Sequence, residues 1–304
     1  MRTSLAIAPR TRQDRALGVV LRSSALLAAS LIFLVLLFVV FEARGALATP
    51  GFGAFFTDPS WHPVDDGTGS EYGVLPMLAA TLATTFGALL IATPLGIGAG
   101  VFNALVAPAP FALLHRSLVE ILAGIPSVVY GLWGLVVLVP WIGGVSHSGQ
   151  GLLAASIVLS LMLLPTITLS TEAALLAVPK EQLQAAAALG LGPIARARLV
   201  AVPAARRGIV AGLVLATGRA VGETMAVLMV AGNVVAWPRG LRDPLRTLTG
   251  NIALEMGYAT ESHRSALFVV GLVLMLCVAL LVILAGLFGS GENHSVSASG
   301  SAGR

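Results

Sequence analysis

Long uncharged apolar runs, rather than short periodic segments, set the pattern of this chain. A helix that crosses a bilayer needs about 20 mostly apolar residues, and residues 23–41 supply the first such run. Residues 72–114 contain no Asp, Glu, Lys or Arg but are too long for one span. Pro108 and Pro110 interrupt them, which predicts a second helix over 74–106. Residues 121–171 are likewise uncharged, and the glycine- and serine-rich segment 141–150 divides them like a turn. That division predicts helices over 118–140 and 151–171. Two more are predicted over 208–235 and 266–288. The expected fold is therefore an all-α integral membrane protein with six transmembrane helices. Its membrane domain would cover residues 17–288, between an N-terminal tail (1–16) and a Gly/Ser-rich C-terminal tail (289–304) that is expected to be disordered.

Composition narrows the class. Of 304 residues 57% are hydrophobic and 11% charged, and mean hydropathy is +0.92. Soluble domains carry about 25% charge, and disordered chains need low hydrophobicity; neither class fits. A formal charge of +4 could point to nucleic acid, but no run of four basic residues is present to track a phosphate backbone. Sidedness explains the charge instead. With the N-terminus cytoplasmic, inside segments hold 12 Lys/Arg and outside segments 5, with Arg219 left within the fifth span. This bias places both termini in the cytoplasm. Residues 23–41 exceed the ~7–15-residue core of a signal peptide, so an uncleaved first span is expected. The single cysteine, Cys277, excludes a disulfide framework. The five histidines show no metal-ligand spacing, and His62 with Asp65 and Asp66 reads as a solvated loop. No metal, cofactor or catalytic residue is expected in this chain. The only lysine, Lys180, lies between Pro179 and Glu181 and cannot form a Walker A loop. ATP hydrolysis would have to come from another subunit.

The longest inside loop, about 172–207, has structure of its own. Pro179 suits a first helical turn, the alanines at 185–188 favour a helix interior, and Gly190 suits a left-handed C-terminal position. Gly192-Pro193 then starts a second short helix, which Pro203 is expected to stop before the fifth span. Spacing alone leaves open an amphipathic helix resting on the membrane. The run Gln184-Ala185-Ala186, Gly190 four residues later, and Val200-Ala-Val-Pro203 after nine more resembles the EAA loop of ABC importer permeases. In that family the loop is a coupling helix seated in a cytoplasmic ATPase. Gln184 departs from the usual glutamate, so an ion pair from that position is lost.

Three more segments carry the resemblance further. Residues 122–134 (LAGIPSVVYGLWG), 218–233 (GRAVGETMAVLMVAGN) and 247–257 (TLTGNIALEMG) resemble PstC-type permeases of phosphate importers. The resemblance covers about residues 74–288. It implies a permease subunit of an ATP-driven importer of inorganic phosphate in the bacterial cytoplasmic (inner) membrane. The implied partners are a PstA-type second permease, two PstB-type ATPase subunits and a PstS-type phosphate-binding protein. A permease for another oxyanion, such as sulfate or molybdate, is the nearest rival. A membrane enzyme or an ion-coupled carrier is the rival from another class.

Charges inside spans are the candidate site. Arg219 and Glu223, four apart, would share one helix face, and an intramembrane charge costs roughly 2.5–3.5 kcal/mol on insertion scales. The pair must therefore face protein or water. It is either a self-neutralising packing pair or, with Thr224, the lining of the substrate path, where a guanidinium could meet an oxyanion through paired donors. Arg116 and Glu120 form a second pair of the same spacing, read as mainly structural. Pro126 must bend the third span, with Ser127 placed to satisfy the freed backbone. In the outer loop 236–264, Leu245, Leu248 and Ile252 predict a short amphipathic helix, and Arg242 and Arg246 are candidate docking charges.

Overall fold

A computed structural model describes residues 12–63, 69–144 and 148–290. Helix α1 (Arg12–Ala46) is followed by a π-helical turn (Leu47–Gly51), a single turn α2 (Ala54–Thr57), and a small antiparallel ribbon of β1 (Trp61–His62) and β2 (Glu71–Tyr72). Next come α3 (Leu75–Val101) with a π-helical turn (Phe102–Val106), α4 (Ala109–Gly124) and α5 (Ser127–Trp133). A π-helical turn (Gly134–Leu138) carries α5 into α6 (Val139–Gly143). Helices α7 (Leu152–Leu176), α8 (Lys180–Ala188), α9 (Pro193–Arg196), α10 (Val202–Gly222), α11 (Met225–Val230), α12 (Leu248–Glu255) and α13 (Glu261–Ser290) complete the described chain.

Five helical stretches among the described residues are long and apolar enough to cross a membrane, and a bent pair makes a sixth. The six-span expectation holds, with three corrections. The third span is not one helix: α4 and the α5–α6 stretch meet at 92°. Pro126 is the cause, since it drives the preceding Ile125 out of the helical region to φ −68°, ψ 128°. The freed carbonyl of Leu122 is satisfied by the Tyr130 hydroxyl at 2.8 Å, not by Ser127. The fifth span starts far earlier than residue 208, at Pro193, and runs to Gly222. Pro203 does not stop a helix; it lies inside the continuous stretch, directly after a π-helical turn (Ala197–Ala201) whose widened ladder accommodates its missing N–H. Finally, the helices reach past the bounds expected for the outer spans, α1 from Arg12 and α13 to Ser290. Residues 1–11 and 291–304, and with them most of the tail expected to be disordered, lie outside the described residues, as do Asp65 and Asp66.

Helix α7 is the centre of the bundle: 61% of its apolar window is buried within the chain, against none of that of α1. Lipid is as apolar as leucine, so spans associate through close packing of small residues. The α3–α7 contact is built this way. A Cβ on Gly96 would lie 2.8 Å from the Ile167 side chain, and one on Gly100 2.7 Å from Cβ of Thr171. Gly208 and Gly212 of α10 press likewise on Ala174 and Ser170 of α7. The similarly spaced Gly218 and Gly222 do not pack; nothing lies within 4 Å of either. At one end of the bundle Ala43, Phe55, Trp61, Val74, Leu248 and Leu267 form a second buried cluster. At the opposite end Leu175, Val178, Ala201, Ala205 and Ile209 join α7 to α10.

Candidate functional site

The α8–α10 hairpin projects from the second of these ends. Helix α8 closes as its sequence predicts. Gly190 takes φ +82°, its N–H donates to the Ala187 carbonyl (2.9 Å), and the Leu191 N–H donates to the Ala186 carbonyl (3.2 Å). These two bonds are the Schellman arrangement, which a residue with a Cβ adopts only under strain. Gln184, Ala185 and Pro203 are exposed, whereas Ala186 is buried and packs inward. Leu189 and Ile194 are 83% and 76% exposed. Two large apolar side chains are thus left uncovered beside the closed end of α8.

The second region is a break in the fifth span. Helix α10 ends at Gly222, and Glu223 is extended (φ −69°, ψ 125°). The shared helical face expected for Arg219 and Glu223 therefore does not exist, and no ion pair between them is found among the described residues. Instead, Glu223 Oε1 accepts from the Ala226 N–H at 3.3 Å and caps α11. The Thr224 hydroxyl donates to the Gly222 carbonyl at 3.2 Å. Arg219 is exposed in the last turn of α10, where the free carbonyls of a helix end favour a cation. Open space around Gly218 and Gly222 continues that surface. Helix α11 packs on α5, with Ala226 and Met229 against Gly131, so the break at Glu223 lies near the break at Pro126. Two interrupted spans thus approach each other beside one arginine.

Arg116 and Glu120 do pair, at 2.8 Å, on the exposed side of α4. The sequence missed the buried carboxylate behind them. Glu172 of α7 lies 3.5 Å from Arg116 and accepts from Asn103 Nδ2 at 3.1 Å, while Asn103 Oδ1 meets His115 Nδ1 at 3.0 Å. Placing the end of the span at Thr171 had put Glu172 in a loop; the helix in fact continues one turn further.

The outer loop corrects a second expectation. The short helix exists as α12, with the Thr247 hydroxyl accepting from the Gly250 N–H. Arg246, however, is no rim charge. It donates to Glu255 Oε1 (2.6 Å), Asn251 Oδ1 (3.0 Å) and the Asn233 carbonyl (2.9 Å). Glu255 Oε2 also accepts from Trp61 Nε1 (2.7 Å) and meets His263 Nε2 (2.9 Å). Arg242 remains exposed. No cluster of three potential metal ligands is found among the described residues.

A central spanning helix, close-packed neighbours and a helical hairpin at one end make up a multi-span membrane protein. The family model described as "Binding-protein-dependent transport system inner membrane component" matches residues 92–291, and the chain belongs to this family. It is 41% identical over 234 residues to the probable ABC transporter permease protein YqgH of Bacillus subtilis (strain 168), covering 76% of this chain and 75% of that one. It is 36% identical over 262 residues to the phosphate transport system permease protein PstC of Mesorhizobium japonicum, covering 79% of each. The resemblance to PstC-type permeases read from the three sequence segments is borne out. Among solved structures, a bacterial alginate ABC transporter in complex with an alginate pentasaccharide-bound periplasmic protein matches with a TM-score of 0.62 at 14% identity, over 93% of this chain and 98% of that one. That likeness concerns the fold alone. The chain is an ABC transporter permease, a multi-pass component of the inner membrane.

Proposed function

We propose that this chain is the PstC-type permease of a phosphate importer. On this reading it pairs with a PstA-type second permease, two PstB-type ATPase subunits and a PstS-type binding protein, and it supplies no cofactor or ATP site of its own. The observation that carries the substrate assignment is the identity to a phosphate permease over four-fifths of both chains. Both termini and the α8–α10 hairpin are cytoplasmic, which puts 42–72 and 236–264 outside. Leu189, Ile194 and the exposed Gln184 and Ala185 meet the ATPase; Ala186, Gly190 and Pro203 shape the hairpin that presents them.

Arg219 faces the substrate path. A guanidinium cannot be left exposed to lipid at an acceptable cost, so the open surface beside Gly218 and Gly222 faces a water-filled passage or the second permease. There it lowers the barrier for an anion through paired N–H donors. Glu223 and Thr224 set the break that keeps this turn accessible. Arg116 and Glu120 tie α4 to Glu172 at the cytoplasmic end.

The test is ATP-driven uptake by the assembled complex in vesicles, with phosphate and sulfate offered separately. Phosphate uptake that Arg219→Ala abolishes, at unchanged complex yield, is the expected result. Uptake of sulfate in preference to phosphate overturns the substrate. Normal uptake by Arg219→Ala overturns the role of the arginine.

A further inference from the structure

We propose that Thr249 and Glu255 are positioning residues for transport: Glu255 anchors the short helix α12, and Thr249 in its first turn holds the Glu223 carbonyl at the break in the fifth span. The inference rests on reading Glu223 as part of the substrate path.

Interrupting a membrane helix frees backbone groups that only protein can satisfy. The carbonyl of Glu223 is such a group, because α10 has ended and α11 begins only at Met225. Its acceptor role is filled from outside the span: the Thr249 hydroxyl donates to it at 3.0 Å. Thr249 comes from a segment 26 residues further along, so this bond couples the outer loop to the break directly.

The loop end of that coupling is held rigidly. Glu255 is buried, with 7% exposure, and a buried carboxylate is tolerated only when paired and fully hydrogen-bonded. Its partners are drawn from three other segments: Trp61 of β1, Arg246 of the preceding loop and His263 of α13. Charge-assisted bonds of this kind are the strong ones. The first turn of α12 is fixed as well, with the Leu248 N–H donating to the Thr81 hydroxyl of α3 at 3.0 Å. Arg246 extends the network to the Asn233 carbonyl, and Asn233 Nδ2 donates to the Leu228 carbonyl of α11. Helix α12 therefore grips both sides of the α11 segment. A partner that displaces α12 moves the Glu223 break with it.

The experiment compares Thr249→Val, which keeps the shape and removes the hydroxyl, with Thr249→Ser, which keeps the hydroxyl. The assembled complex in vesicles is assayed for phosphate uptake over a range of phosphate-loaded binding protein, with complex yield and melting measured alongside. The expected result is a fall in maximal uptake of about tenfold for Thr249→Val with little change in the half-saturating concentration, and near wild-type uptake for Thr249→Ser. Wild-type uptake by Thr249→Val, or equal impairment of both variants, overturns the proposal. Should Thr249→Val fail to assemble, Glu255→Gln takes its place, and an assembled Glu255→Gln complex with wild-type uptake overturns it. Arg219→Ala in the same assay separates the two readings. If it transports normally, the path reading fails; if it is impaired while Thr249→Val is normal, only the positioning role fails.

Discussion

The left-handed turn at Gly190 isolates a conformational cost from any packing cost. A side chain placed there meets nothing within 4 Å, so a substitution changes only how readily the chain holds φ +82°. For an ordinary L-residue that cost is roughly 1–2 kcal/mol; asparagine tolerates the region better and a β-branched residue worse. Helix α8 has nine residues and buries one of them, Ala186. An isolated helix of that length does not sustain itself in water, so the cost is taken by the hairpin end while the bundle stays folded. About 1–2 kcal/mol corresponds to a 5–30-fold loss in the ratio of capped to frayed end. The series Gly190→Asn, Gly190→Ala and Gly190→Val should therefore reduce ATP-driven uptake in increasing order, with unchanged melting of the membrane domain. Hydrogen exchange of the amides at 180–191 should rise in the same order. Wild-type uptake by Gly190→Val would refute the reasoning, and so would an asparagine variant as impaired as the valine.

Four further outcomes are open to measurement. Gly100→Ala should lower stability in detergent by about 1–3 kcal/mol through overpacking, because its Cβ would sit 2.7 Å from Thr171 Cβ and 2.9 Å from the Thr168 carbonyl; Gly98→Ala, with nothing within 4 Å, should leave the melting temperature unchanged or raised. Arg246→Ala should destabilise the outer end by about 3 kcal/mol, the lower part of the range for an orphaned buried charge, because Trp61 and His263 still serve Glu255. Arg242→Glu should leave melting unchanged and slow association with the phosphate-loaded binding protein at low salt, since exposed charges mainly steer encounter. Tyr130→Phe removes the hydroxyl donor to the Leu122 carbonyl, which keeps the Ile125 N–H at 3.3 Å, and should cost about 0.5–1.5 kcal/mol, read as a lower melting temperature at unchanged complex yield.

The spans and the hairpin were legible because their signals are local. An uncharged run has to lie in lipid or core, and α3 with its π-helical end, Leu75–Val106, differs by one residue from the stretch expected. Gly190 was legible for the same reason: a glycine just past an alanine-rich helix has one conformation that closes it, and the two backbone bonds are found. Pro126 announced its bend, although the residue that repairs the backbone was misread. A serine one position on is the local choice; the actual donor is a tyrosine eight residues from the carbonyl it serves.

What stayed hidden depends on contacts between segments far apart in the chain. Arg246 looked like a solvated rim charge because its carboxylate partner is held in place by Trp61, 194 residues before Glu255. The break at Gly222–Glu223 was hidden for a related reason. An i,i+4 pair of opposite charges inside an apolar run reads as a helix neutralising itself, and no proline marks the interruption. At the interruption the Thr249 hydroxyl, from a distant segment, donates to the Glu223 carbonyl, while Asn233 serves the far end of α11 at the Leu228 carbonyl. Charges that looked like a matched pair are thus separated in role: Glu223 caps α11, and no carboxylate partner of the exposed Arg219 is found among the described residues. On the proposed reading this leaves Arg219 available to meet an anion, whereas a helix kept whole through residue 223 would have placed Glu223 on the same face beside it.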